Sequence, residues 1–597
     1  MAENKETSGE SGNNFLDPEL TRDLIEAGQK AFSSALQQGQ KQDGNIFDPF
    51  NMASAYMEAM FSLWRNPSVL VEAQQDYFKN SLKLWQYSMN SIMGVESEPV
   101  IEPQKGDNRW RNKDWNEIPV FDYLKQSYLL GAKCVQDVVQ GMDDLPEKDA
   151  RKLSFFTKQY LDALSPSNSP ITNPQVLKTT IEQKGKNLVA GLQNFIEDLG
   201  KSNGSLQIAM TDPEAFTLGK NVAVTRGKVV FQNRLFQLIQ YAPVTEKVYK
   251  RPLLIVPPWI NKYYVLDLQP KNSMVKWLVE QGHTVFMVSW VNPDESYAQT
   301  GMEDYMVEGV YAAVDAVEKA TGEEGINLVG FCIGGTLIAA TLAHMAVKDD
   351  NRIKSATYFA SLIDFSDPGD IGVFIDDVQI SKLENTANEK GYLDGKTLAQ
   401  TFNVLRSNDL IWSFYINNYL EGKDPAIFDL LYWNSDSTHL PAKMYSYYIR
   451  KMYMENKLCK PGGITLANVP IDVRKINIPC YFISSHDDHI APWMSTYSGA
   501  RLISGPVRFV LGGSGHIAGI INPPAANKYC YWTGSKELPE HPDDWFAGSK
   551  KHDGSWWPDW HKWLTGMSRA KVEARIPGSG ELKTIEDAPG SYVKKRI

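Results

Sequence analysis

The spacing of apolar residues changes near residue 206. Before it, apolar side chains recur every three or four positions, as in LTRDLIEAGQKAFSSAL, NMASAYMEAMFSLW and QDYFKNSLKLWQYSMNSIM. This period is typical of amphipathic helices, and prolines divide the region into several of them. The pattern predicts an N-terminal helical domain over residues 1–205. Its first 15 or so residues, rich in Glu, Ser, Gly and Asn, are expected to be disordered.

After residue 206, short apolar runs alternate with helical stretches. The runs are RPLLIVPP, HTVFMVSW, INLVGF, SATYFAS, IPCYFISS and VRFVLGG. Continuously apolar runs are typical of strands that are buried on both faces, so we predict a mostly parallel sheet with helices on both faces over residues 206–597. An aromatic-rich helical stretch at about 364–473 interrupts the alternation. Because a structureless loop of that length is improbable, this insertion is interpreted as a helical cap over the sheet.

Composition narrows the class of protein. Among the 597 residues, 61 are basic and 71 acidic, a formal net charge of -10, so no general attraction to nucleic acid or anionic lipid is expected. The five cysteines include no CxxC pair, which argues against a disulfide framework or a zinc site and favours a reducing compartment. Neither a signal peptide nor a transmembrane segment is predicted. Four tryptophans leave open a partner-docking surface on the helical domain, beside the simpler interpretation as a packed bundle: Trp64, Trp85, Trp110 and Trp115.

The string GFCIGGT, residues 330–336, carries the sharpest chemical signal. It follows the apolar run INLV directly and precedes the helical run LIAATLAHMAV. Strand, tight turn and helix in that order are the setting of a nucleophile elbow, G-x-S-x-G, here with cysteine in place of serine. Glycines are needed because the turn is strained and side chains would collide with the flanking elements. We predict that Cys332 is a nucleophile; the alternative is a buried structural cysteine.

A nucleophilic thiol needs a base, and the base needs an acid. In the α/β-hydrolase fold they follow in the order nucleophile, Asp, His. The run IPCYFISS leads into HDDHIAP, and VRFVLGG leads into SGH, so an acid and His516 lie just past the ends of predicted strands. Asp488 is preferred over Asp487 because DHIAP matches the usual acid loop. The predicted catalytic residues are therefore Cys332, Asp488 and His516.

An oxyanion hole is expected from two backbone N–H groups. One belongs to Ile333, directly after the nucleophile, and the other to Trp259 in the loop VPPWINKYY, which follows an earlier predicted strand. Two other strings resemble binding motifs but lack a part that each motif needs. GSGHIA fits a dinucleotide fingerprint but lacks the following strand with its acid, and HDDH lacks a second cluster of metal ligands. No metal and no cofactor are expected.

The choice of sulfur favours acyl transfer. An acyl group held on a thiol stays activated, so loading from another thioester is nearly an even exchange and passage to an alcohol runs downhill. Hydrolysis competes unless water is excluded, and an aromatic cap would exclude it.

Seven strings closely resemble the polyhydroxyalkanoate synthases of the long, single-chain class I type: GFCIGGT, VPPWINKYYVLDLQP, EQGHTVFMVSW, FDLLYWNSDST, DDHIAPW, SGHIAGIINPPAANK and GSWWPDW. The resemblance implies polymerisation of (R)-3-hydroxyacyl-CoA, of which 3-hydroxybutyryl-CoA is the expected substrate, with release of CoA. It implies that Cys332 carries the chain, that His516 deprotonates the thiol, and that Asp488 assists the substrate 3-hydroxyl together with His516. It further implies a homodimer on cytoplasmic polyester granules, with granule-associated proteins as partners.

Two residues are weaker candidates for substrate binding. Arg406, in LRSNDLIW, would contact CoA phosphates or form a structural ion pair, and Trp433 lies in FDLLYWNSDST. Two other functions stay open: an esterase or thioesterase of the same fold, and a non-catalytic granule-binding relative. The cysteine and the long helical domain argue against the first, and the presence of all three catalytic residue types argues against the second.

Overall fold

A computed structural model describes residues 53–201 and 206–597. The described residues divide into two compact units, one up to residue 212 together with 406–426 and one of residues 213–405 with 427–597. The predicted disordered start and the predicted helix over LTRDLIEAGQKAFSSAL lie outside the described residues. None of the described helices combines the length and the apolar character needed to cross a membrane.

The first unit is helical in the parts that are described, as the three- and four-residue spacing predicts. Its α-helices are Ala53–Arg65, Ser68–Ile92, Asp114–Glu117, Pro119–Gln140, Glu147–Ala163, Pro174–Glu182 and Lys186–Lys201, and Asn408–Trp412 and Tyr415–Leu420 are π-helical. Proline starts two of these helices, where the missing N–H costs no hydrogen bond.

One segment of the predicted cap, residues 406–426, groups with these helices instead. The reason is a close approach to the helix Lys186–Lys201. A side chain at Gly191 would collide with the backbone carbonyl of Tyr419, and Asn187 donates to the carbonyl of Leu420 at 2.8 Å. The Tyr419 hydroxyl donates to Asp198 at 2.7 Å. Residues 406–426 thus pack on this helix through one glycine and two hydrogen bonds between residues far apart in sequence. The spacing of apolar residues does not reveal such contacts.

The second unit is built on a sheet of eleven strands. In chain order they are β1 Gly227–Gln232, β2 Phe236–Tyr241, β3 Leu253–Val256, β4 Val285–Trp290, β5 Ile326–Phe331, β6 Ile353–Phe359, β7 Cys480–Ser485, β8 Val507–Gly512, β9 Cys530–Thr533, β10 Lys550–Asp553 and β11 Glu586–Asp587. Across the sheet the order is β10-β9-β8-β7-β6-β5-β3-β4-β2-β1-β11. The six predicted strands are β3 to β8, and all five pairings among them are parallel. The antiparallel strands at both edges were not predicted.

Each face of the sheet has its own core. Leu254 and Phe286, which are paired across β3 and β4, pack with the helix that follows β5. Their neighbours Ile255 and Met287 belong to the other cluster. This alternation is that of a sheet covered on both faces, so the predicted fold class is confirmed.

Apart from residues 406–426, the predicted insertion belongs to the second unit. It is helical, with two short strand pairs. The α-helices are Met274–Glu280, Met302–Asp304, Ala312–Thr321, Ile333–Val347, Asp377–Lys390, Gly395–Leu405, Asp429–Ser435, Ala442–Tyr448, Trp493–Arg501, Pro542–Ala547 and Trp557–Met567, and Tyr305–Tyr311 and Ile449–Met454 are π-helical. The short pairs join Tyr392–Leu393 to Leu440–Pro441 and Thr465–Leu466 to Val469–Pro470, and a third, outside the insertion, joins Lys247–Tyr249 to Lys571–Glu573.

Candidate active site

Cys332 lies at the sharp turn between β5 and the helix Ile333–Val347, which we call the elbow helix. Its backbone has φ 52° and ψ -123°, a region that residues other than glycine rarely occupy. The Cys332 N–H donates to the carbonyl of Phe359 on β6 at 2.8 Å, and the Cys332 carbonyl accepts from Gly335 at 2.9 Å. Such conformations cost about 1–3 kcal/mol and persist only where the surroundings fix them. The predicted elbow is therefore present, with the thiol at its tip.

The glycines of the elbow are required by close approach. A Cβ on Gly330 would lie 2.7 Å from the backbone nitrogen of Gly335, so strand and helix could not meet at this spacing. A Cβ on Gly334 would lie 2.9 Å from the carbonyl oxygen of Pro257. The start of the elbow helix is thereby in contact with the end of β3, and the loop that follows β3 begins beside the thiol.

His516 and Asp488 meet beyond the ends of β8 and β7, as the sequence predicts. His516 Nδ1 donates to Asp488 Oδ2 at 2.7 Å, and both side chains are buried. The other carboxylate oxygen accepts the backbone N–H groups of Ile490 and Ala491, each at 2.9 Å. Asp487, the rejected alternative, is exposed and pairs with His486. Because Nδ1 is engaged by Asp488, Nε2 is the nitrogen left for a reacting proton.

Two neighbouring side chains raise the pKa of His516. Burial lowers the pKa of His516, but Asp488 and Cys332 raise it by more, so the net pKa lies well above the ordinary value. The ring of Phe331 stacks on the imidazole at 5.9 Å between centroids and limits its rotation. A half-buried Cys332 thiol thus lies close to a buried imidazole–carboxylate pair.

One of the two predicted oxyanion donors directly follows Cys332 in the chain, and the other lies in the loop after β3. Ile333 is the first residue of the elbow helix, where N–H groups lack a partner within the helix. Trp259 is buried, and its ring packs against those of Tyr305 and Tyr448 at 5.2 and 5.7 Å. Tyr448 in turn is close enough to Cys332 for the sulfur to raise the pKa of its hydroxyl, after the larger effect of burial.

An aromatic cover over the thiol was expected, but its residues were not singled out. Tyr448 and Tyr453 lie 5.9 Å apart, and Phe365 packs against Tyr453 at 5.0 Å. Burial and, less strongly, the Cys332 sulfur raise the pKa of both tyrosines, and Cys332 and Tyr453 pack against the same apolar cluster that contains Tyr448. They are five residues apart: Tyr448 directly precedes the π-helix Ile449–Met454 and Tyr453 lies in it, and i to i+5 hydrogen bonds make its turn wider than that of an α-helix. The 3.6-residue period assumed from the sequence separates them.

The two weaker candidates each bond to another residue of the chain. Arg406 belongs to the helical unit, where its guanidinium pairs with Asp409. Trp433 is buried, and its indole N–H donates to the carbonyl of Lys262 at 2.7 Å. Their contact with substrate stays a prediction. In the described part of the chain, no three His, Cys, Asp or Glu side chains are grouped so that they could hold a metal ion.

Fold and site together define a class. A mostly parallel sheet with a cysteine at the strand–helix elbow, backed by His and Asp from later strand ends, is the arrangement of α/β-hydrolase-fold enzymes that transfer acyl groups.

Comparison with known proteins narrows the class to a family. Residues 106–278 match the family model described as "Poly-beta-hydroxybutyrate polymerase (PhaC) N-terminus", and residues 251–523 match that of the α/β hydrolase fold. A poly(3-hydroxyalkanoate) polymerase of Methylorubrum extorquens is 46% identical over 89% of this chain and 88% of its own. PhaC subunits of such polymerases from Rhizobium meliloti and Cupriavidus necator are 43% and 42% identical, over 94% and 90% of this chain and 91% of each of theirs. The chain belongs to the poly(3-hydroxyalkanoate) polymerase family, which confirms the resemblance.

Proposed function

We propose that this protein polymerises (R)-3-hydroxyacyl groups, supplied as coenzyme A thioesters, into polyester, with Cys332 as the acyl carrier. The observation that supports this most directly is a cysteine at the strand–helix elbow, close to the buried His516–Asp488 pair, in a member of this family. His516 Nε2 takes the proton of the thiol, and the thiolate attacks the thioester carbonyl. The carbon–sulfur bond to coenzyme A breaks, and the departing thiolate takes the proton from the imidazolium.

Elongation uses the same base for an alcohol. The 3-hydroxyl of the next acyl-CoA gives its proton to His516 and attacks the thioester on Cys332. An ester forms, the Cys332 sulfur leaves, and the lengthened chain, now on coenzyme A, returns to Cys332 by a second thioester exchange. The backbone N–H groups of Ile333 and Trp259 would stabilise the oxyanion of each step. Every bond made or broken involves the substrates and this one sulfur, so no cofactor is invoked.

The cover over Cys332 supports transfer over hydrolysis. Tyr448 is buried, Tyr453 is half-buried, and both contact aromatic neighbours. Excluding water protects an acyl thioester that water would otherwise cleave.

Incubation with 3-hydroxyacyl-CoA substrates of increasing length tests the proposal. Thiol release together with insoluble polyester is expected, and mass spectrometry of enzyme stopped during turnover should place the acyl group on Cys332. Free hydroxyacid as the product would support a hydrolase instead. No thiol release, or an adduct on another side chain, would overturn the proposal. Prior treatment with a chelator should leave the yield unchanged.

The proposal extends to assembly and location: a homodimer on cytoplasmic polyester granules, with granule-associated proteins as partners. The helices Ala53–Arg65 and Ser68–Ile92 support an apolar docking role, because Trp64 and Trp85 are 84% and 63% exposed. Sedimentation of the purified protein, alone and with polyester particles, tests both parts. A monomer at all concentrations that remains in the supernatant would contradict them.

A further inference from the structure

A short segment of the insertion makes several hydrogen bonds to the loop that carries the proposed second oxyanion donor. We call Trp433–Thr438 the clamp and Trp259–Tyr264 the oxyanion loop. Four clamp residues contact four loop residues. Trp433 Nε1 donates to the Lys262 carbonyl at 2.7 Å. Asp436 accepts hydrogen bonds from Lys262 Nζ at 2.7 Å and from the Tyr264 hydroxyl at 3.0 Å. Ser437 forms an antiparallel bridge with Asn261, and Thr438 Oγ1 donates to the Trp259 carbonyl at 2.9 Å.

These contacts are shielded from solvent. The side chains of Lys262 and Asp436 are 4% and 1% exposed, and Lys262 Nζ also donates to the carbonyl of Lys595 at 3.0 Å. A buried ion pair adds little net stability, because removing both charges from water is costly. What it provides is a fixed geometry, since a buried charge cannot leave its partner without a large penalty.

Contacts fix the chain both just before Trp259 and at Trp259 itself. Before it, the carbonyl of Pro257 accepts the indole N–H of Trp290 at 2.9 Å and lies against Gly334 of the elbow. At Trp259 itself, Thr438 binds the carbonyl and Tyr448 packs on the ring. Thr438 therefore acts on the backbone orientation of the residue whose N–H the proposed mechanism uses, without reaching the thiol itself.

We infer that the clamp is a positioning element, which holds the Trp259 N–H at the oxyanion site so that the thioester steps proceed only when this part of the insertion is seated on the loop. The inference rests on the proposed function. It assigns a role to residues of the string FDLLYWNSDST, which contribute no group to the reacting atoms. A misplacement of about 1 Å at such a donor costs up to about 100-fold in rate.

Thr438→Val tests the inference with the least disturbance, because it keeps the volume and removes only the hydroxyl. The kcat for 3-hydroxybutyryl-CoA should fall about 10- to 100-fold with KM nearly unchanged, since an oxyanion donor acts in the transition state. Thr438→Ser retains the hydroxyl and should restore most of the rate. The matched control is Thr321→Val, which removes a hydroxyl that donates to the Val317 carbonyl on a helix away from the loop, and it should behave as the wild type.

A burst measurement separates positioning from loss of folded enzyme. In Thr438→Val the amount of acylatable Cys332 should equal that of the wild type while the acylation rate constant falls. Trp433→Phe, which removes the bond to Lys262, should show the same split. Equal kcat in Thr438→Val and Thr438→Ser, a change in KM alone, or a loss confined to burst amplitude would overturn the inference. Failure of the wild type itself to acylate Cys332 would instead overturn the proposed function.

Discussion

Replacing Asp488 by Asn should separate the two chemical steps that share His516. In the native site one oxygen of Asp488 accepts two backbone N–H groups, from Ile490 and Ala491, and the other accepts His516 Nδ1. An asparagine has a single acceptor oxygen, and the two backbone donors require it. Its NH₂ group then faces Nδ1, which must become an acceptor, so the imidazole proton moves to Nε2. The nitrogen that should receive the substrate proton is thereby blocked.

The two steps depend on that nitrogen to different degrees. In a serine protease triad the same change of tautomer lowers kcat about 10⁴-fold, equivalent to about 5.4 kcal/mol. A free cysteine in water is already a few per cent thiolate at pH 7, so a thiol that has lost its base should acylate about 30-fold more slowly. An alcohol has no such ionised fraction. We therefore expect elongation by Asp488→Asn to fall about 10³- to 10⁴-fold, while Cys332 still becomes acylated.

Rapid mixing with 3-hydroxybutyryl-CoA measures both rates. The variant should release about one coenzyme A per active site in a slowed burst, followed by very slow turnover, and mass spectrometry should find the acyl group on Cys332. Asp487→Asn is the control, because that carboxylate is 67% exposed and contacts His486 rather than His516; it should stay within twofold of the wild type. Equal slowing of burst and turnover, or no trapped acyl-enzyme, would refute the reasoning.

Three further changes test the thiol, the elbow and the charge on the base. Cys332→Ser should lose most turnover because an alkoxide leaves poorly, and near-normal polymer yield would contradict the thioester argument. Gly334→Ala, whose Cβ would lie 2.9 Å from the Pro257 carbonyl oxygen, should destabilise by about 1–3 kcal/mol in urea unfolding, whereas Gly566→Ala, with open space around it, should be neutral or stabilising; equal effects would contradict the packing. Because the pKa of His516 is raised, its stabilising effect is complete below about pH 6.5 and is lost as the pH rises through the raised pKa. The stability difference between wild type and His516→Gln should therefore narrow as the pH is raised above about 6.5, and a constant difference would contradict this assignment.

The sequence predicts the centre of the sheet better than its edges, for a physical reason. Strands β3 to β8 are covered on both faces and so appear as uninterrupted apolar runs. Strand β10, with the sequence KKHD, is mostly exposed and carries no apolar signal. Strand β2 is fully buried, but it contains Gln237 and Gln240, whose amides are satisfied by residues more than 300 positions away. When only the local sequence is considered, such polar residues make a buried strand resemble an exposed segment.

Dependence on distant partners also decides which parts of the site can be predicted from the sequence. Cysteine, histidine and aspartate are found from local strings because each needs a particular turn, and the turn leaves glycines in the sequence. The partners that make the site work are pairs without a local signature: Lys262 and Asp436 are 174 residues apart, and Thr438 meets the carbonyl of Trp259 across 179. Both the clamp and the tyrosine cover belong to the insertion, so one segment excludes water and orients the oxyanion loop. That combination fits a thioester carrier, because a site that assembles only when covered does not expose its activated acyl group to water.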